Sequence, residues 1–209
     1  MAARSTPIAA ADATYHRSMS QGAARTAGHP HPQRDGVQYC PYCGGALGQS
    51  VVEGRLLATC QACSWIAFRD PKVVAVTVID DGAGAIWLIR RGIAPCIGEW
   101  ALPGGYVDFD EHPREAAARE CREEIGCEVE IDRLLAVEHA AFRSGGVVVV
   151  AYVGRIVGGS PAPGPEALEV AAHAEGALPP LAFSTHELIL RNYAQSRAGV
   201  ASAARPDSG

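Results

Sequence analysis

Three glutamates in the middle of the chain carry its strongest chemical signal. Glu120, Glu123 and Glu124 stand at relative positions i, i+3 and i+4, and this spacing places all three carboxylates on one face of an α-helix. Like charges at this spacing repel, each pair costing about 0.2–0.5 kcal/mol. A divalent cation would offset the repulsion, and carboxylate oxygens are the ligands that magnesium prefers. An ordinary solvent-exposed helix face can carry the same three residues without binding a metal. The surrounding sequence must therefore distinguish a metal site from such a face.

That segment has a defined spacing. It runs Gly105, five residues, Glu111, seven residues, then Arg119-Glu120-Cys121-Arg122-Glu123-Glu124-Ile125-Gly126-Cys127. It resembles the Nudix box, G-x5-E-x7-R-E-U-x-E-E-x-G-U, in which U is a bulky aliphatic residue. Every polar and glycine position matches, whereas Cys121 and Cys127 occupy the aliphatic positions. A buried cysteine behaves as a small hydrophobe, so we expect the charge layout to be kept.

The resemblance implies a metal site. Glu120 and Glu124 would bind Mg2+ (or Mn2+) together with the backbone carbonyl of Gly105, where glycine lets the backbone approach closely. Glu111 would support this site from the preceding loop.

The resemblance also implies catalytic roles. Glu123 would hold a water molecule on the metal or act as general base, and Arg119 would orient the neighbouring carboxylates through a charged hydrogen-bond fork. The implied reaction is metal-assisted hydrolysis of a phosphoanhydride, which releases a nucleoside monophosphate. The alternative is a non-catalytic Nudix domain that senses a nucleotide, attached to a cysteine-rich zinc-binding segment (a zinc ribbon) that contacts nucleic acid or a partner protein.

Four of the seven cysteines form two pairs separated by sixteen residues, Cys40-Pro-Tyr-Cys43 and Cys60-Gln-Ala-Cys63. This spacing is typical of a tetrathiolate zinc site, and a redox or iron site is the alternative. Such a zinc ribbon is expected to be a structural clip or a dimer contact. Few basic residues lie nearby, which argues against nucleic-acid binding.

Composition limits the class of protein. The chain has 209 residues, 48% hydrophobic and 20% charged, with a formal net charge of -5. This is ordinary globular composition without general attraction to nucleic acid. No run approaches the roughly 18 apolar residues of a membrane span. An odd number of cysteines without a secretion signal indicates a reducing compartment, and we expect the cytoplasm.

The elements that must position these residues follow from periodicity and turn signals. The pattern predicts a strand at 73–79 with its hairpin partner at 86–89, a loop at 98–110, and a helix between Pro113 and Gly126 with a buried stripe at Ala117, Cys121 and Ile125. Strands at 134–138 and 147–157, a loop at 158–165 and a second helix at 184–196 would follow.

The predicted fold class is α/β. The resemblance implies a Nudix α/β/α sandwich with a mixed β-sheet, preceded by a small zinc ribbon. We expect a disordered extension at 1–35 (an organelle transit peptide is the alternative), the zinc ribbon at 36–70, the Nudix domain at 71–197 and a disordered tail at 198–209. A homodimer is an expectation from the family.

The substrate class is narrowed by a second resemblance. The zinc ribbon and the run Trp100-Ala101-Leu102-Pro103-Gly104-Gly105 resemble a Nudix group that includes FAD diphosphatases and ADP-ribose hydrolases. NADH pyrophosphatases are less similar, because their Ser-Gln-Pro-Trp run is absent at 137–142. The acidic stretch ending in Ile-Pro-Trp, which relatives carry, is also absent at 171–177. We therefore expect FAD, ADP-ribose, NADH or a similar nucleotide as substrate.

Substrate-binding candidates each have a plain structural alternative. Glu166 or Glu169 would supply a catalytic base, or is an exposed loop carboxylate. Trp100 would stack on a base or flavin ring, or packs beside the Leu-Pro-Gly-Gly turn. Arg90 and Arg91 would meet phosphate, or lie at the surface. Two histidines, His139 and His186, are expected to be structural.

Overall fold

The computed structural model describes residues 38–68, 70–142 and 145–203. The predicted extension at 1–35 lies outside these residues, as does 204–209 of the predicted tail. Within the described residues, no helix is both long and apolar enough to cross a membrane.

The cysteine-rich segment forms a small antiparallel sheet. Its strands are β1 (Leu47–Val52), β2 (Arg55–Cys60) and β3 (Ile66–Ala67), in the order β1-β2-β3. Glu53 and Gly54 join β1 to β2, and both have positive φ, 48° and 77°. Two residues of positive φ are the requirement of a type I′ hairpin turn, which matches the twist of its flanking strands. The hairpin thus brings the cysteine at the end of β2 back toward the first cysteine pair.

The main sheet has four strands and mixed directions. Its members are β4 (Lys72–Ile79), β7 (Gly104–Tyr106), β8 (Cys127–Phe142) and β9 (Gly145–Gly159), in the order β7-β4-β9-β8. β4 runs parallel to β9, and the other neighbours are antiparallel. On β4, Ala75 pairs with Gly105 of β7. The sheet therefore fixes the glycine that begins the Nudix box.

A second sheet places β5 (Ala85–Arg91) between β10 (Ala167–Ala174) and β6 (Trp100–Ala101). The predicted hairpin between β4 and β5 is wrong, because a single bridge, Asp80 to Ile86, joins them. The Asp81 carboxylate accepts hydrogen bonds from the N–H groups of Ala83 and Ala85. This turn leads the chain out of the main sheet, and β5 pairs with β6, the next strand along the chain, and with the distant β10.

The described part of the domain is completed by two α-helices, α1 (Pro113–Ile125) and α2 (Ser184–Ala203), and by a 3-10 helix at Glu175–Ala177. The predicted ends of α1 are confirmed: Pro113 is its first residue, and Gly126 ends it in the left-handed conformation at φ 69°. The side chain of His112 caps its N-terminus by accepting a hydrogen bond from the N–H of Arg114, and Glu115 completes a capping box. The predicted buried stripe is also confirmed, with all three residues inaccessible to solvent: Ala117, Cys121 and Ile125.

Other predicted boundaries needed correction. β8 is 16 residues long, against the predicted 134–138. The predicted loop at 98–110 contains β6 and β7, and β10 was not predicted. α2 continues past the predicted end at 196 to Ala203, so it overlaps the predicted tail. β10 escaped prediction because its alanine-rich sequence lacks the β-branched run that marks β4.

Two buried clusters lie on opposite faces of the main sheet. Ala75 and Ile79 of β4 belong to the cluster that contains the buried stripe of α1. Val76 and Val78, which alternate with them, belong to the cluster of α2, with Ile189. Because successive strand side chains point to opposite faces, α1 and α2 cover the two faces of the sheet. The predicted α/β/α sandwich with a mixed sheet is confirmed.

Candidate active site

The turn between β6 and β7 meets the acidic face of α1. The backbone N–H of Gly104 donates a hydrogen bond to Oε2 of Glu124 at 2.8 Å. A Cβ atom at Gly105 would collide with the Glu120 carboxylate, which lies directly against the glycine backbone. The absence of a side chain at Gly105 therefore permits Glu120 to reach the turn. The structure brings together three of the predicted metal-binding positions.

Arg119 connects most of the remaining box residues. Its Nε and Nη2 atoms donate to the two carboxylate oxygens of Glu111, both at 2.9 Å. Its Nη1 atom donates to Glu120 at 2.8 Å and to Glu123 at 3.2 Å. Nη2 also donates to the backbone carbonyl of Tyr106 at 3.0 Å. The guanidinium thus makes the kind of fork that sets carboxylate orientation.

Burial shapes the charge of the site. Glu124 is 7% exposed, and burial raises its pKa to about 8. The hydrogen bond from the Gly104 N–H opposes this rise, because it stabilises the ionised carboxylate. Burial also raises the pKa of Glu120, with Arg119 opposing the shift. By contrast, the hydrogen bonds from Arg119 lower the pKa of Glu111. Burial thus destabilises the ionised forms of Glu120 and Glu124. A hard cation bound between them would stabilise these forms, taking the place of their protons.

The glycine- and proline-rich loop at 160–166 holds the end of α1. The N–H groups of Ala162 and Gly164 donate to the carbonyls of Ile125 and Glu124, at 2.9 and 3.0 Å. The same loop is tied to β5, because the N–H of Gly92 donates to the carbonyl of Glu166 at 2.7 Å. The Glu166 carboxylate is exposed, and its charge raises the pKa values of both Glu120 and Glu124. The loop therefore places Glu166 beside the box.

The four paired cysteines form one cluster. Their Sγ atoms all lie within 4.8 Å of one another, and three of the Sγ–Sγ distances are 3.5 Å. A disulfide requires about 2.0 Å, whereas tetrahedral thiolates around zinc lie about 3.8 Å apart. Within the cluster, a hydrogen bond from the backbone of Cys63 lowers the pKa of Cys60 to about 7. Against a hydrogen bond from the backbone of Trp65, the neighbouring thiols raise the pKa of Cys63 to about 12. The cluster has the geometry to hold one metal ion: Cys40, Cys43, Cys60 and Cys63.

Comparison with family models matches residues 69–194 to the NUDIX domain. The chain belongs to the Nudix family.

Related proteins agree with this assignment. The ADP-ribose pyrophosphatase of Methanocaldococcus jannaschii is 35% identical over 128 residues, which cover 60% of this chain and 75% of that protein. The human mitochondrial NAD(P)H pyrophosphatase NUDT13 is 28% identical over 56% of this chain, a match that spans 32% of the human protein. A Nudix hydrolase structure from Nitrosomonas europaea superposes with a TM-score of 0.69 at 29% identity, covering 78% of this chain and 93% of that one. The predicted family and enzyme class are confirmed.

The two arginines predicted to bind substrate in this Nudix domain, Arg90 and Arg91, make different contacts. Arg90 is half-exposed and pairs with Glu169 at 3.5 Å. Arg91 lies over the ring of Phe183 at 5.1 Å, and its charge lowers the pKa of Glu124. Of the two arginines, Arg91 is the one whose charge opposes the rise in the pKa of Glu124.

Trp100 lies in the wall of a hydrophobic cluster. Its ring makes an edge contact with the ring of His173, with centroids 4.6 Å apart, and it packs against the cluster of α2. The N–H of Ala182 donates to its carbonyl at 2.7 Å. These contacts agree with the packing alternative, and a stacking role toward substrate stays a prediction.

Two residues around the site, Gly104 and Tyr106, were not assigned a role from the sequence, and a third, His186, was predicted only to be structural. Gly104 and Tyr106 contribute backbone groups, which side-chain patterns do not reveal, although both flank the glycine of the Nudix box. His186 is 5% exposed, and its Nδ1 atom accepts a hydrogen bond from the N–H of Leu102 at 3.1 Å. No sequence signal links two residues so far apart in the chain.

Proposed function

We propose that this Nudix protein hydrolyses the diphosphate bond of a nucleoside diphosphate linked to a second moiety, with ADP-ribose and FAD as the leading substrates and NADH as a weaker one. The observation that carries the proposal is the convergence of Glu120 and Glu124 on the turn at Gly104 and Gly105. A buried acidic pair without a cation would weaken the fold, so its presence favours metal-dependent chemistry.

The residues present fit Mg2+ or Mn2+. Glu120, Glu124 and the carbonyl of Gly105 would hold the ion, and Glu111 would act through Arg119 on the orientation of Glu120. Oxygen ligands of this kind, with positions left for water and substrate phosphate, suit magnesium. When bound, the ion neutralises phosphate charge and makes water more acidic.

The chain's own groups supply the proton transfers. Water attacks one phosphorus, the bond from that phosphorus to the bridging oxygen breaks, and a carboxylate takes the proton of the attacking water. Glu123 is suited to this role, since its side chain is 56% exposed and Arg119 holds it at 3.2 Å. Glu166 is the second candidate, because its loop brings an exposed carboxylate beside the box. Arg119 keeps the neighbouring carboxylates ionised and oriented.

The proposed substrate class is supported by the names of related proteins and by one arginine side chain, Arg91. The name of the Methanocaldococcus protein supports an ADP-ribose-type substrate. We assign the phosphate contact to Arg91, and the support for this is that its charge opposes the raised pKa of Glu124. Arg90 would contribute only after giving up its exposed ion pair with Glu169, a pair of small energetic value.

The cysteine cluster is proposed to hold a structural Zn2+. Four thiolates complete a tetrahedral coordination and leave no position for substrate. The ion would stabilise a sheet of three short strands that has only a small core of its own. The cytoplasm, a reducing compartment, would keep these thiols available for zinc. A homodimer stays an expectation from the family.

A panel of nucleotides tests the proposal. Purified zinc-loaded protein is incubated with Mg2+ and ADP-ribose, FAD, NADH, NAD, diadenosine polyphosphates or nucleoside triphosphates, and products are separated by chromatography. We expect AMP from ADP-ribose or FAD, strongly reduced in Glu123→Gln if that residue is the base. Glu128→Gln is the matched control, since Glu128 is exposed and pairs with Arg122 outside the site. Turnover of no member by folded protein would overturn the proposal and favour a nucleotide sensor.

A further inference from the structure

We propose that His186 is a positioning residue for the metal site, which acts by holding the turn at Leu102 to Gly105 in place. The inference rests on the proposed function, because the turn matters for catalysis only if the carbonyl of Gly105 and the carboxylates beside it bind a cation. Among the described residues, the contacts of the His186 ring are with Leu102 and Phe183 rather than with the carboxylates of the box.

The contact is made from the first turn of α2. The Nδ1 atom of His186 accepts a hydrogen bond from the N–H of Leu102 at 3.1 Å. Both residues are buried, at 5% and 1% exposure. The backbone of His186 is fixed in turn, since its N–H donates to the carbonyl of Phe183 at 3.0 Å, and the two rings make an edge contact with centroids 5.1 Å apart. The imidazole therefore has little freedom to move away from the turn.

Three consecutive residues of the turn are held by three different elements. The N–H of Leu102 donates to His186 on α2. The carbonyl of Pro103 accepts from the N–H of Thr77 on β4 at 2.9 Å. The N–H of Gly104 donates to Glu124 on α1 at 2.8 Å. Gly105 follows directly and pairs with Ala75 on β4, so the position of its carbonyl depends on that pairing and on the three bonds before it. His186 supplies the bond that comes from the opposite face of the main sheet.

The chemistry of the side chain suits this role. To accept from Leu102, Nδ1 must carry no proton, which makes the imidazole neutral. Burial, together with the charge of Arg91, lowers the pKa of His186 to about 3. An asparagine places an amide oxygen near the position of Nδ1, whereas a leucine of similar size offers no acceptor. The N–H of Leu102 would then be buried without a partner, and a turn under that penalty would shift.

The test compares His186→Asn with His186→Leu. Three quantities are measured: Mn2+ affinity by electron paramagnetic resonance, kcat and KM for ADP-ribose, and hydrogen exchange of the segment at 102–105. Ile189→Val is the packing control, because Ile189 is fully buried on the same helix and a shortened side chain there removes no acceptor.

For His186→Leu we expect Mn2+ affinity and kcat to fall about 10- to 100-fold, with faster exchange at Leu102 and a smaller change in KM. His186→Asn should recover most of each loss, and Ile189→Val should change none of them by more than about 3-fold. If the leucine variant does not fold, His186→Gln replaces it, since its amide oxygen lies nearer the position of Nε2.

Two results would overturn the inference. One is a folded His186→Leu (or His186→Gln) protein with wild-type Mn2+ affinity and kcat. The other is an equal loss in the asparagine and leucine variants. A wild-type protein that neither binds Mn2+ nor hydrolyses any nucleotide would instead defeat the proposed function, and the positioning role would fall with it. If the wild-type protein binds Mn2+ and hydrolyses a nucleotide, the variants test the role of His186 alone.

Discussion

The N–H of Gly104 and the Oε2 atom of Glu124 are joined by a 2.8 Å hydrogen bond that links the first residue of β7 to the last turn of α1. Through this bond, a backbone group and a buried carboxylate hold each other in place. The neighbouring Glu120 lies against Gly105, so both carboxylates meet one stretch of backbone. We therefore expect Gly104 and Gly105 to differ in how much each contributes to stability and to activity.

Gly105→Ala is expected to separate activity from stability. A Cβ atom there would collide with the carboxylate of Glu120, the far end of a flexible side chain that can move away. We expect the free energy of unfolding to change by less than about 1 kcal/mol, while hydrolysis falls at least about 100-fold as a metal ligand is displaced. Denaturant unfolding and the rate of AMP release check the two halves.

Gly104→Ala, unlike Gly105→Ala, is expected to reduce the stability of the protein strongly. Gly104 has φ 150°, and a Cβ atom would collide with the backbone of Ala75 and Val76 on β4. We expect a loss of about 3 kcal/mol or more in the free energy of unfolding, because backbone cannot move aside as a side chain does. Equal stability of the two alanine variants in the same unfolding experiment would contradict this account of the turn.

The raised pKa of Glu124, about 8, predicts how the metal-free protein responds to pH. In the unfolded chain this carboxyl titrates near pH 4.5, so between about pH 4.5 and 8 the folded state binds more protons. Stability should therefore fall as pH rises through this window, by at most about 5 kcal/mol. Glu124→Gln should flatten the slope. Urea unfolding of the zinc-loaded protein at several pH values, without added Mg2+ or Mn2+, measures it, and a slope unchanged by the substitution would contradict the assignment.

Arg119→Lys is expected to impair the site without removing its charge. Lysine cannot make the paired bonds to Glu111 while also reaching Glu120 and Glu123. We expect kcat/KM to fall about 10- to 100-fold and more Mg2+ to be needed for half-maximal rate. Arg122→Lys is the control, since Arg122 pairs with the exposed Glu128. The same loss in both variants would argue against a specific role for Arg119.

Removal of the cysteine-bound metal should affect the small sheet more than the Nudix domain. Cys63→Ser is expected to lower zinc content from about one equivalent to near zero and to make β1–β3 sensitive to protease. Cys96→Ser should keep the zinc, because Cys96 lies outside the cluster. Elemental analysis and limited proteolysis measure both effects. Full zinc retention by Cys63→Ser would exclude the tetrathiolate site.

The sequence predicted the parts of the site that lie on one element. The spacing of Glu120 and Glu124 on α1 and both ends of that helix follow from helical geometry and local capping preferences. The pairing of Ala75 with Gly105 has no such local signal, since a strand does not encode its partner. For the same reason, β5 was paired with β4 when its true neighbours are β6 and β10.

The contacts that complete the site come from distant parts of the chain. The bond between His186 and Leu102 spans 84 residues, and no periodicity connects its two ends. The proximity of Glu166 to the box depends on a loop whose backbone bonds to α1 and β5 appear only after folding. The box chemistry could thus be predicted from sequence, whereas the residues that hold the turn could not.

The most direct test of the central claim is AMP release from ADP-ribose by wild-type protein and by Glu120→Gln, each with and without Mg2+. We predict Mg2+-dependent formation of AMP and ribose 5-phosphate in equal amounts, reduced more than about 100-fold by the substitution. Glu128→Gln, measured alongside, should match the wild type. No hydrolysis by folded wild-type protein, or equal rates in wild type and Glu120→Gln, would contradict the account.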